Sequence, residues 1–95
     1  MGPTCEVLLH SDKLYVLDAI DACLVSLCLE VNRTRKGRVW DVLVDGCPVH
    51  IAIAAGPPAI ELSAGCNRTE DLAALRKLAS ALAIATTGEA SDPMK

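Results

Sequence analysis

The chain has 95 residues and a net charge of −3; it is 52% hydrophobic, with one Trp, one Tyr and no Phe. That length makes a single domain, and the acidic balance argues against a sequence-independent nucleic-acid binder, which needs a basic surface. No stretch reaches the ~20 apolar residues of a membrane span, and Met1–Glu6 lacks the basic start and apolar run of a signal peptide, so the cytoplasm is the expected location.

Cys5 to His10 is a short apolar run that predicts a strand. Ser11 then offers a helix N-cap, with Asp12 in the first turn. From Asp12 to about Val31, Leu14, Leu17, Ile20, Leu24, Leu27 and Val31 recur at three- and four-residue steps, which is the helix period. Asp18 and Asp21 mark a polar side, while Val16, Cys23 and Val25 widen the apolar stripe. A helix this apolar packs on more than one side, within the monomer or against a partner. The polar stretch Asn32–Arg38 is expected to be a loop, with Arg33, Arg35 and Lys36 past the helix C-terminus and Gly37 at a turn.

Asp45-Gly46 is the strongest hairpin signal in the chain. A two-residue loop sets Val44 opposite Cys47, Val42 opposite Val49, Trp40 opposite Ile51 and Arg38 opposite Ile53. Trp40, Val42, Val44, Val49, Ile51 and Ile53 then share one face. Pro48 falls at a strand start, where its missing N–H is tolerable. Gly56-Pro57-Pro58 reverses the chain, and Ala59 to Gly65 alternates again, adding Ile60 and Leu62 to the apolar face. Asn67 reads as the N-cap of a last helix with Glu70 as capping-box partner. Leu72, Leu75, Leu78, Ala79 and Leu82 form its stripe, and Gly88 ends it at the latest.

The predicted order is β-α-β-β-β-α: an α+β two-layer sandwich with a mainly antiparallel four-stranded sheet and two helices on one face. Positions 1–88 form the domain, and 89–95 read as a flexible C-terminal tail. The first strand can sit beside either outer strand of the predicted meander.

On the face away from the helices the same register places Asp41 opposite His50. A four-residue loop over 55–58 puts Ser63 on the other side of His50. Asp, His and Ser are the residue types of an orienting carboxylate, a base and a nucleophile. The plainer account is a cross-strand polar ladder. Val39, Leu43, Ala52 and Ala54 share this face, and an aliphatic, uncovered sheet face suits self-association. The surplus of apolar residues points the same way, with a homodimer as the simplest product and another protein as the other candidate partner.

Other chemistry is weaker. Cys47 and His50 have a C-x2-H spacing, but their odd separation puts them on opposite faces, so no metal site is expected. The five cysteines include no C-x-x-C pair and read as reduced, mostly buried side chains. Arg33, Arg35, Lys36 and Arg38 could contact an anion, although no aromatic residue beside them suits nucleic-acid stacking. No Gly-rich phosphate loop is present, and no cofactor is expected. No motif set names a family. The sequence therefore favours a small, non-catalytic interaction module that self-associates, with an enzyme or ligand-binding site at Asp41, His50 and Ser63, or an anion or nucleic-acid contact through Arg33, Arg35, Lys36 and Arg38, as the alternatives.

Overall fold

In a computed structural model, which describes residues 3–10, 14–27, 30–34, 38–54, 57–65 and 68–90, Asp45 and Gly46 adopt φ of 50° and 81°. Two consecutive positive φ values match the right-handed twist of flanking strands in a two-residue hairpin. A Cβ at Gly46 would meet no atom within 4 Å, so the demand for glycine there comes from the backbone alone.

Around this turn the chain forms β1 (Thr4–Leu8), α1 (Leu14–Leu27), β2 (Glu30–Thr34), β3 (Val39–Val44), β4 (Cys47–Ala54), β5 (Ala59–Ala64), α2 (Thr69–Thr86) and β6 (Glu89–Ala90). The strands make one antiparallel sheet in the order β2-β3-β4-β5-β1-β6. The β3–β4 pairing is the one the turn dictates, from Val44 opposite Cys47 to Val39 opposite Ala52. Beyond it, the Ile53 N–H donates to the Arg38 carbonyl at 3.1 Å. β5 follows in the register of a four-residue connection, with Ala54 opposite Ala59. β1 joins beyond β5, not beside β3.

The α+β class stands, but the sheet has six strands instead of four. Two corrections account for this. The helix ends at Leu27 and not near Val31, because Glu30–Thr34 pairs along the outer edge of β3. Val31 lies four residues after Leu27, which suits a helix, yet it also suits a strand whose alternate residues face the core. Opposite Val42 it is half-buried against that core. Pairing also satisfies the β3 edge, whose N–H and C=O groups would otherwise be open. Arg33 and Thr34 are thus strand residues, not loop residues.

The second correction is at the C-terminus. Glu89 and Ala90, assigned to the tail from sequence, pair with Leu8 and Val7. Thr87 takes the left-handed conformation (φ 53°), and the N–H groups of Thr87 and Gly88 close on the Ile84 and Ala83 carbonyls. That is a Schellman ending with threonine where glycine is usual. Gly88 is needed one residue later, where a Cβ would collide with the Leu8 carbonyl oxygen as the chain crosses β1. Ser11, Asp12, Cys28, Arg35, Lys36, Gly37, Gly56, Cys66, Asn67 and positions 91–95 lie outside the described residues.

Both helices pack on one face of the sheet and against each other, α2 over β1, β5 and β4, and α1 toward the β2–β3 side. Val16, Leu17, Ile20 and Leu24 of α1 and Leu75, Leu78, Ala79 and Leu82 of α2 are buried there against Trp40, Val44, Ile51, Ile60 and Leu62. Val25, expected to widen the α1 stripe, is instead 62% exposed.

Two polar contacts fix the helices. The Trp40 Nε1–H donates to Asp21 Oδ1 at 3.2 Å, so Asp21 is tied to the core and not simply solvated. At the start of α2, Arg68 is the N-cap and Asp71, not Glu70, is the carboxylate that reaches back. Asp71 Oδ2 accepts from the Arg68 backbone N–H at 3.2 Å and from its Nε–H at 2.8 Å. Glu70 stays exposed, because only the buried position of Asp71 faces the cap. The Arg68 side chain holds the Asp71 carboxyl below its ordinary range, outweighing the opposing effect of burial.

Two outcomes follow. Asp21→Ala leaves the buried Trp40 N–H without this acceptor and should cost ~1–3 kcal/mol in urea unfolding, whereas Asp18→Ala at an exposed position should be near neutral. The lowered pKa of Asp71 means that its stabilisation is complete above the ordinary carboxylate pKa of about 3.9 and is lost as pH falls through the folded value. Melting temperature should therefore drop steeply on acidification, and Asp71→Asn should start lower at neutral pH and fall less.

Candidate docking face

Strand alternation sends the residues not used by the core to the opposite side of the sheet, where no helix of the described residues lies. The register there builds one polar row across five strands. Asn32 faces Asp41, Asp41 faces His50, His50 faces Ser63, and Ser63 faces Thr4. The three central members are those expected from the hairpin. Asn32 and Thr4 extend the row once β2 and the β1–β5 pairing are known.

The His50 Nδ1–H donates to Asp41 Oδ1 at 2.8 Å, which orients the ring and leaves Nε2 as its free nitrogen. Both side chains are more than half exposed, at 54% and 60%. Two open depressions meet at His50 and Ser63. One, of about 360 Å³, runs toward Glu30, Asn32, Leu43 and Pro48. The other, of about 690 Å³, runs toward Thr4, Glu6, Ala52 and Glu61.

This arrangement orients a base but does not complete a nucleophilic site. No hydrogen bond joins Ser63 to His50 among the described residues. β4 and β5 are interior strands, so their amides belong to the sheet ladders and are not gathered to hold an oxyanion. The exposed Asp41–His50 pair therefore has the character of a cross-strand polar contact, worth tenths of a kcal/mol.

Val39, Leu43, Ala52 and Ala54 are half-buried on the same side, above and below the polar row. Leu8 adds an exposed aliphatic side chain on β1, at 46% exposure. Arg33 pairs opposite Trp40, while Arg38 is exposed just before β3. The four basic residues singled out from sequence are thus not shown as one patch, since Arg35 and Lys36 lie outside the described residues.

The remaining reactive groups among the described residues are muted. Cys47 is buried on the helix side and His50 is exposed on the other, as an odd separation requires. Among the described residues no three His, Cys, Asp or Glu side chains are placed to hold a metal ion. Burial pushes the Cys5 thiol up to about 11 and raises Cys23 and Cys47, which disfavours their thiolates. No helix among the described residues is long and apolar enough to cross a membrane. Comparison with known proteins finds no matching family model, no matching curated protein and no matching solved structure.

If Asp41 and His50 form a surface ladder, Asp41→Ala should cost no more than ~1 kcal/mol in urea unfolding at neutral pH. A loss of several kcal/mol would mark the pair as part of a buried network instead.

Proposed function

We propose that the protein is a small non-catalytic interaction module that docks through the open face of its sheet, with a second copy of itself as partner. One observation carries the proposal: both helices lie on one side of a six-stranded sheet, and among the described residues none forms a layer over the aliphatic residues of the other side. Sheets that carry apolar residues on both faces are ordinarily covered on both.

The available area fits this use. Strands ~4.8 Å apart with about five residues at ~3.3 Å each present on the order of 500 Å² on six strands, or ~1,000 Å² from two copies. That is near the lower bound of a specific interface, and it corresponds to a reversible dimer. Its interior would be Val39, Leu43, Ala52 and Ala54, with the Asp41–His50 row among them.

A dimer whose population rises with concentration is expected in sedimentation equilibrium. Leu43→Asp should weaken it by tenfold or more while leaving the circular dichroism unchanged, because Leu43 is only half-buried and lies outside the core. A chain that stays monomeric into the millimolar range would reject self-association. A dimer indifferent to Leu43→Asp would reject this face.

A further inference from the structure

His50 stands at the middle of the open face, third of five in the polar row and on an interior strand. Its Nδ1–H is committed to Asp41 Oδ1 at 2.8 Å, and both side chains are more than half exposed. The ring is held with Nε2 turned away from Asp41, at the point where the two depressions meet.

The charged groups around this ring are of one sign. On β3 the neighbour is Asp41 itself, and on β5 Glu61 lies one open-face step from Ser63, the residue opposite His50. On β2, Glu30 lines the depression that His50 shares with Asn32 and Leu43. On β1, Glu6 lines the other depression and is already engaged within the chain. Along β4 the flanking open-face residues are Pro48 and Ala52, which carry no charge. Glu30, Asp41 and Glu61 are exposed, and no Lys or Arg takes an open-face position in a strand among the described residues.

We infer that the docking proposed above is switched by protonation of His50, two copies associating more tightly as pH falls through the imidazole range. This rests on self-docking through the open face and adds its regulation. When a second copy covers the face, the Asp41–His50 pair leaves water. With a neutral ring the pair carries a net negative charge into the interface from each copy, and burying charge without a counter-charge is costly. With an imidazolium the same hydrogen bond joins a neutral ion pair, and Nε2 gains a hydrogen to donate. The opposing surface is the same surface. Whichever way the copies are turned, the exposed strand charges that can meet that hydrogen are, among the described residues, Glu30, Asp41 and Glu61. Covering the face therefore favours the protonated ring, and by linkage the protonated ring favours the covered face. The added affinity is complete where the ring is protonated in both states, and is lost as pH rises through the titration of the associated form. Each copy takes up a proton, so the effect enters the dimer constant twice.

Sedimentation equilibrium at about pH 6 and about pH 8 tests this, since imidazoles titrate between these values and carboxylates ordinarily do not. The dimer should be about tenfold tighter at the lower pH. His50→Asn keeps a donor for Asp41 but cannot ionise. It should hold the dimer at its weaker strength at both values, with an unchanged circular dichroism spectrum. His10, the chain's other histidine, lies beyond the end of β1, and His10→Asn should leave the difference in place. A dimer equally tight at both values, one tighter at the higher pH, or a difference that survives His50→Asn would overturn the switch. If Leu43→Asp still separates the copies in that case, the docking face stands and only its regulation falls. A chain that is monomeric at both values would overturn the face and the switch together.

Discussion

The two-residue turn at Asp45-Gly46 fixes more of this molecule than any other local feature. Both residues hold positive φ, and the pairing that follows admits no slack. A one-residue slip would carry Trp40, Val42, Val49 and Ile51 to the open side and bring Asp41 and His50 into the core. Trp40 and Ile51 are fully buried, whereas Asp41 and His50 are more than half exposed. The energetic contrast between those two arrangements holds the register, and the register decides which face is left open.

The helices follow from the same division. Their apolar stripes must cover the face that carries Trp40 and Ile51, and two polar contacts set where they stop sliding. Asp21 takes the Trp40 indole N–H on the α1 side, and Asp71 gathers the cap of α2 through Arg68. Lys77 adds a contact from α2 to Asp45 at 3.2 Å, linking the second helix to the hairpin turn. Being exposed, that ion pair adds little stability. The closing turn of α2 then returns the chain across Leu8 at Gly88, which finishes the sheet on its far edge.

What can be read from sequence divides along physical lines. The β3–β4–β5 meander is legible because its turn chemistry and its period-two pattern agree independently. Even the four-residue connection to β5 and the Asp41–His50–Ser63 row follow from them. β2 is obscured because Val31 satisfies the helix period and the strand period alike. The signal that favours a strand is weak: the β-branched Val31 and Thr34 before a glycine-bearing turn. β6 is only two residues long and owes its existence to a backbone crossing that no local pattern announces. Without β2, Asn32 has no visible place in the polar row. The cap of α2 is ambiguous by one position, since the capping-box spacing fits Asn67 with Glu70 as well as Arg68 with Asp71, and only burial separates them.

Function depends on this division of faces. On the proposed reading, a partly aliphatic sheet surface with an oriented histidine at its centre serves recognition more than catalysis. The most direct test is NMR with a soluble paramagnetic probe, comparing dilute and concentrated protein. In dilute solution, strong broadening is expected at His50, Ser63 and Val39 while Trp40 and Ile51 are spared, and raising the concentration should protect the first set alone. Broadening of Trp40 and Ile51, or an open face equally accessible at every concentration, would contradict the division and its use.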